Sequence, residues 1–317
     1  MRPMIELRPL AAPPTAPAPP VSALRLRRSL AWPVGQAEAE LSPAVAPPDA
    51  GELIVITAGA AEEPPTPVFT GRVLHHQRGL WSTRLVAEEP TGALARTYVA
   101  KAVRSATAAG LITDLCGAAG VPCTAEPPGA LLPSYTLLDN QSALEHINRL
   151  AYMSGMLCRT DTQGNLRVAT PLPVPTGTML RPVDPVLDLQ VEHLPVQGVK
   201  IAGDGALGAR GPGAEHWVLQ SLDAITAGDG DTTRHLPGLK TMADVTRAAT
   251  IAAMLTKESA TRITLTLGGA PPCDLAEVIL LMGFDAYTGP ARVVGIDMLW
   301  SADSGLITTL ELHGVGG

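Results

Sequence analysis

Aromatic side chains are scarce: four Trp, four Tyr and two Phe make up 3% of the 317 residues. The core must therefore be filled by Leu, Val, Ile and abundant Ala. Charged residues are also few, at 17%, yet 46% of positions are apolar, which excludes a wholly disordered chain. Positive charge is not in excess, since 23 Lys and Arg face 30 Asp and Glu for a net charge of −7. That balance argues against a protein that grips nucleic acid through counterion release, except through a local patch. No apolar run approaches the ~18 residues of a membrane span; Val278 to Met282 is five residues long between Glu277 and Gly283. A soluble chain without membrane insertion is expected. The four cysteines, Cys116, Cys123, Cys158 and Cys273, form no CxxC pair and have no histidine at zinc-ligand spacing. Buried free thiols are expected rather than a metal site or a disulfide.

What is present in quantity is proline and glycine, 30 and 31 residues. Seven prolines in the first twenty positions would break the apolar helix of a secretion signal. Residues 1–20 read as a Pro-rich N-terminal arm. Lacking the apolar periodicity to fold alone, such an arm is expected to lie over a neighbouring subunit. Residues 21–100 read as β: VSALRLRR and GLWSTRLVAE alternate, and ELIVIT is a short aliphatic run. From Ser105 the period becomes helical through Ala108, Leu111, Ile112, Leu115, Cys116 and Ala119, with Ser105 as N-cap and Gly120 and Pro122 as the stop. A second helix is expected from about Asn140 to Gly155, then a hairpin turning at DTQGN. Residues 101–175 thus form a small α+β unit. Prolines from 171 to 195 suggest a linker or an edge crossing. Beyond it VKIAG and EHWVLQSL read as strands, and a helix over about 241–258 starts with Thr241 as cap and Asp244 in its first turn. Strands resume at RITLTLGG and continue to Leu312.

The two β regions resemble each other. DAGELIVITAG (49–59) matches DLAEVILLMGF (274–284), FTGRV (69–73) matches YTGPARV (287–293), and GLWST (79–83) matches GLITT (305–309), all in the same order. SALRLRR and RITLTLGG also correspond. Each match has a mechanical reading: a strand buried on both faces, a turn into the next strand, and the start of an alternating strand. A duplicated β-barrel module is expected, with the second barrel over 176–317.

These segments, together with SATAAGLITDLCGAAGVP and SYTLLDNQSALEHINRLAYMSGMLCRTDTQGNLRV, resemble the late control protein D family of bacteriophage baseplate or tail hubs, whose fold also forms the N-terminal part of VgrG-type spikes. The closing segment YTGPARVVGIDMLWSADSGLITTLEL is the most specific part; the chain departs from the family at Leu299-Trp300, where a histidine is common, and in the Gly-rich stretch 203–213. The resemblance implies a mainly β fold with an α+β insertion: two similar tail-tube-like β-barrel domains plus a small α/β domain. It implies a homotrimeric structural hub, not an enzyme, that adapts a sixfold tail tube to a threefold spike. The implied partners are a tail-tube or distal tail protein and a central spike or tail-tip protein. DNA would pass through the lumen without specific binding, and the acidic balance suits a channel that repels phosphate. The implied location is the virion tail or baseplate, after assembly in the host cytoplasm.

Several motifs point elsewhere. GDGALG (203–208) is a literal GxGxxG after a strand, with Asp223 at the ribose-binding spacing, but Gly211-Pro212-Gly213 would stop the helix that must hold a pyrophosphate. AGDG at 202 and 227 lacks the spaced ligands of a calcium loop and reads as tight turns. His75 and His76 on one strand point to opposite faces and cannot share a metal. His146, His193 and His313 show no linking pattern, and no GxSxG elbow is present. No catalytic, cofactor-binding or metal-binding residue is assigned. A Rossmann-type or hydrolytic enzyme, and a monomeric β-rich binding module, are the alternatives from other classes.

Overall fold

The computed structural model describes residues 4–13, 18–31, 34–59, 65–204 and 225–316. The chain begins with β1 (Met4–Pro9), β2 (Val21–Ser29), β3 (Gln36–Leu41), β4 (Leu53–Gly59), β5 (Thr66–Arg78) and β6 (Thr83–Glu88). A short α1 (Gly92–Ala95) leads to β7 (Lys101–Thr107), α2 (Ala108–Ala119), β8 (Cys123–Ala125), β9 (Leu131–Leu137), α3 (Ala143–Met153), β10 (Leu157–Thr160) and β11 (Leu166–Ala169). Then follow β12 (Met179–Leu180), β13 (Val186–His193), β14 (Val199–Gly203), β15 (Ile225–Ala227), β16 (Thr232–Leu236) and α4 (Met242–Glu258). The last strands are β17 (Thr261–Gly268), β18 (Val278–Leu281), β19 (Gly289–Ser301) and β20 (Gly305–Gly314). The protein is mainly β, as expected.

One large sheet carries both halves of the chain in the order β1-β4-β5-β6-β3-β2-β19-β20-β17-β13, with β18 against β19 and β12 against β18. Period-2 alternation buries one face: Ile54, Ile56 and Ala58 on β4, and Ile263, Leu265 and Leu267 on β17, lie in a single core. β4 alternates buried with half-buried positions, so it is not buried on both faces as its aliphatic run suggested.

The internal repeat extends to hydrogen bonds. β4-β5-β6-β3-β2 and β18-β19-β20-β17-β13 follow the same path, every step antiparallel. Both paths carry a β-bulge at Val73/His75 and Val293/Gly295, and a second at Val21/Ala23 and Val186/Asp188. The turn before β4 and the turn before β18 are the same device. The Asp49 N–H donates to Glu52 Oε2 at 3.0 Å, and the Asp274 N–H to Glu277 Oε2 at 3.1 Å. Gly51 N–H donates to the Val73 carbonyl and Ala276 N–H to the Val293 carbonyl, both at 2.8 Å. Arg72 Nη1 donates to the Gly51 carbonyl at 2.6 Å, and Arg292 Nη1 to the Ala276 carbonyl at 3.2 Å.

The register corrects parts of the sequence alignment. Arg72 and Val73 fall on Arg292 and Val293, which places Phe69 on Gly289 rather than on Tyr287. Thr83 falls on Thr308, one residue before the Thr309 first matched to it. RITLTLGG corresponds to QAEAEL on β3, and SALRLRR to VLDLQVEH on β13. Alternation alone does not distinguish one amphipathic strand from another, so those two were matched to each other. The sixth strands differ: β1 runs antiparallel to β4, whereas β12 runs parallel to β18.

The N-terminal arm is corrected too. Residues 4–9 are a strand of the chain's own sheet, with Ile5 and Leu7 buried in its core, because the helix-breaking prolines cluster after that alternating stretch. The proline-rich 171–195 holds β12 and β13; Pro182, Pro185 and Pro195 lie outside the paired stretch.

A second core gathers α2, α3 and the hairpin β10–β11, together with β14, Leu239 and α4. Helix α4 therefore packs its apolar stripe, Val245, Ala248, Ala249 and Ala252, into the core of the α+β unit rather than that of the second β region, which it meets through Glu258 at its end. Caps differ by two residues from expectation: Thr107 caps α2 and Ser142, in a capping box with Glu145, caps α3. Ser105, at φ 51°, still belongs to β7. Thr241 caps α4 with its side chain accepting from the Asp244 N–H.

Arg28 joins the two cores. Its side chain is 1% exposed, and Nε donates to Glu89 Oε1 at 2.8 Å while Nη1 donates to Asp274 Oδ1 at 2.6 Å. Nη2 donates to the Thr160 carbonyl at the end of β10. Burial opposes the charge, but Asp274 and Glu89 outweigh it and raise the Arg28 pKa. Glu89 also accepts from the Gly35 N–H at 2.8 Å, and Arg159 reaches the Leu275 carbonyl at 2.6 Å.

Two outcomes are expected. Ala276 holds φ 64° where the first repeat has Gly51 at 89°, a conformation that costs a non-glycine residue about 1–2 kcal/mol. Ala276→Gly, after the added freedom of the unfolded chain, stabilises by about 0.5–1 kcal/mol, and Gly51→Ala destabilises by about 1 kcal/mol; chemical denaturation reads both. Arg28→Met leaves Glu89 and Asp274 facing a lost partner and costs about 3–5 kcal/mol. Arg28→Met combined with Glu89→Met recovers part of that loss in the same measurement.

Candidate assembly surface

The sheet ends in two unlike edges, and their geometry follows from the long strands β5 and β19. Each is 13 residues. One flank of β19 is covered by β20, while the other is shared by β18 on Gly289–Arg292 and β2 on Gly295–Ser301. β5 is built alike, with β6 on one flank and β4 on the other at Thr66–Arg72. On that second flank, residues 74–78 pair with no strand among the described residues. Among the described residues β13, the counterpart of β2, pairs only with β17. Among the described residues β1 and β12 are edges too, each paired with one strand, but the repeat singles out β13, whose counterpart β2 is paired on both flanks, and the slot along β5, whose counterpart on β19 is filled.

Both sites carry exposed apolar groups. At the β5–β6 tip Leu80 is 87% and Trp81 89% exposed, and Leu187 at the β13 bulge is 62% exposed. The pairing that is satisfied within the chain shows how such an edge is specified: Arg25 and Arg27 on β2 reach Asp297 on β19 at 3.3 and 3.1 Å.

The residues singled out from the sequence do not converge on one centre. All four cysteines are free; Cys116, Cys123 and Cys158 neighbour one another beside α2. The Cys123 sulfur accepts from the Cys116 thiol, which raises the Cys116 pKa and lowers that of Cys123, while burial pushes Cys158 and Cys273 up to about 12. His146 is buried: its Nε2 accepts from the Leu138 N–H at 3.2 Å and its Nδ1 faces the Tyr135 hydroxyl at 3.0 Å, and burial lowers its pKa. His313 is lowered by burial as well, with Arg262 nearby. His193 lies 3.3 Å from Thr261 Oγ1. His75 and His76 both sit on β5, as expected.

Gly203, the first glycine of GDGALG, ends β14 against α4, where a Cβ would stand 2.6 Å from the Leu239 carbonyl. Asp204 accepts from the Gly238 N–H and pairs with His235 and Lys240. The rest of the motif, Gly211-Pro212-Gly213, EHWVLQSL and Asp223 lie outside the described residues. AGDG at 227 forms the connection from β15 to β16, where Gly228 holds φ 90°. Among the described residues no group of three or more His, Cys, Asp or Glu is placed to hold a metal ion, and no helix is long and apolar enough to cross a membrane.

No family model matches the sequence, and no curated protein sequence matches it. Solved structures do. The 43 kDa tail protein of prophage MuSo2 from Shewanella oneidensis superposes with a TM-score of 0.70 at 14% identity, over 98% of each chain. A tail protein from Neisseria meningitidis MC58 gives 0.72 at 12% identity, over 99% of this chain and 97% of that one. An E. coli component of the type VI secretion system, described as structurally similar to the T4 bacteriophage tail proteins gp27 and gp5, gives 0.63 at 11% identity, over 98% and 76%. The doubled sheet, its inserted α+β unit and these superpositions give one result: the chain has the fold of phage tail proteins.

Proposed function

We propose that this chain is the structural hub of a phage or phage-like tail, a homotrimer that adapts a sixfold tail tube to a threefold spike. The observation that carries the reading is the strand-by-strand repeat, with its bulges and turns, along one continuous sheet. A chain that folds one sheet design twice gives three copies six similar outer units, and cyclic closure uses the same surfaces in every copy. Each repeat would be one tube-like barrel domain. The α+β unit, built from both the segment between the repeats and β14–α4, would stand apart from the tube wall. The net charge of −7 favours a lumen that DNA traverses without being held. A tail-tube or distal tail protein and a spike or tail-tip protein are the partners this role requires, and the virion tail is its place. A non-enzymatic role accords with candidate residues that are dispersed across the fold.

In solution, or on assembly with a tail-tube protein, the 32.9 kDa chain is expected to form a particle of three chains with a central opening. Light-scattering mass and electron-microscopic class averages check this. A particle with another number of chains, or without an opening, refutes the hub. Retention of duplex DNA by that particle at about 0.15 M salt, where weak phosphate contacts are screened, would refute the free passage of DNA.

A further inference from the structure

Building on the hub reading, we propose that the β13 edge of one chain inserts into the slot along β5 of a second copy, head to tail, reproducing between chains the β2–β19 pairing already made within one chain. The argument is positional. β13 matches β2 residue for residue, bulge included, and β5 matches β19, bulge included. Within the chain β2 fills the outer half of β19 with Ile296 opposite Arg28, Asp297 opposite Arg27 and Met298 opposite Leu26. Carried onto the free strands, the same register sets His76 opposite His193 of the second copy, Gln77 opposite Glu192 and Arg78 opposite Val191.

Three independent properties of the two surfaces suit this occupant. The β5 slot offers Arg78 beside His75 and His76 and no acid, whereas β13 offers Asp188 and Glu192, no Lys or Arg, and His193 as its last residue. Complementary charge steers such edges together. The polarity is the reverse of the intrachain junction, where the β2 side is basic and the β19 side holds Asp297. A β13 edge thus meets a like charge if it approaches β19, and the two junctions are not exchangeable. Second, at the exposed tip beyond β5, Leu80 falls in that register opposite Leu189, and Trp81 opposite Asp188, next to the exposed bulge residue Leu187. Water is excluded there by apolar contact on both sides. Third, His76 Nδ1 is buried with no hydrogen-bond partner among the described residues, and an incoming strand brings the polar His193 opposite it. Open strand edges this long are otherwise a site of uncontrolled pairing.

The test is a pair of cysteines, Gln77→Cys with Glu192→Cys, in the full-length chain with a short thiol crosslinker, since facing Cβ atoms lie about 5 Å apart in such a pair. The expected result is a covalent ladder that ends at a closed species, while each single variant stays uncrosslinked. Trp81→Ser is expected to weaken self-association at least about tenfold with an unchanged melting curve. A closed three-chain particle that yields no crosslink overturns this interface and leaves the hub standing. A crosslinked ring of another copy number keeps the interface and overturns the threefold hub. A chain that stays monomeric with and without a tail-tube protein overturns both.

Discussion

Arg28 sits where three parts of the chain meet, and its guanidinium is shut off from water. Its donors must therefore be used by the protein, and they are: Glu89 after β6, Asp274 before β18 and the Thr160 carbonyl of the inserted unit. A buried cation of this kind is weak evidence of added stability but strong evidence of fixed geometry, because any shift of one partner strands a charge. The first repeat, the second repeat and the insertion are thereby held in one arrangement. Arg292 does the same at a second joint, where it is 1% exposed, binds Glu258 at the end of α4 through two nitrogens, and reaches the Leu172 carbonyl.

The two repeats share a backbone plan and little else. The turn before the first aliphatic strand keeps its glutamate and its left-handed residue, whose hydrogen bonds the plan needs; the acid contributes only its backbone N–H to what the two turns share. Asp49 is exposed, however, while its counterpart Asp274 grips Arg28. The same position is idle in one repeat and structural in the other. The strand edges diverge similarly: Arg25, Arg27 and Arg28 on β2 become Gln190, Glu192 and His193 on β13. Duplication supplied equivalent positions, and charge made them distinct.

How much of this was legible beforehand depended on whether a signal was local. Helix caps and the DTQGN hairpin are set by neighbours in sequence and were readable to within two residues, whereas the Asp-x-Gly/Ala-Glu turn was read as part of the strand that follows it. β3 was missed because QAEAEL is made of alanine and glutamate, residues disfavoured in strands, and becomes β only by lying between β2 and β6. β13 was hidden by flanking prolines. The placement of α4 could not be read from its own stripe, since an apolar face does not name the core it joins. The strand slot on β5 is a property of pairing, visible only once β19 shows what fills its equivalent.

The insertion within the second repeat follows from one hairpin. In the first repeat β2 and β3 are joined by the few residues between Ser29 and Gln36; in the second, His193 and Thr261 remain paired while β14, β15, β16 and α4 lie between them. The chain leaves and re-enters the sheet at adjacent points, so a folded appendage hangs there without changing the register of any strand. Such a mouth is a natural graft point. Here the graft is tied back to the sheet, because Glu258 at the end of α4 neutralises the buried Arg292 of β19.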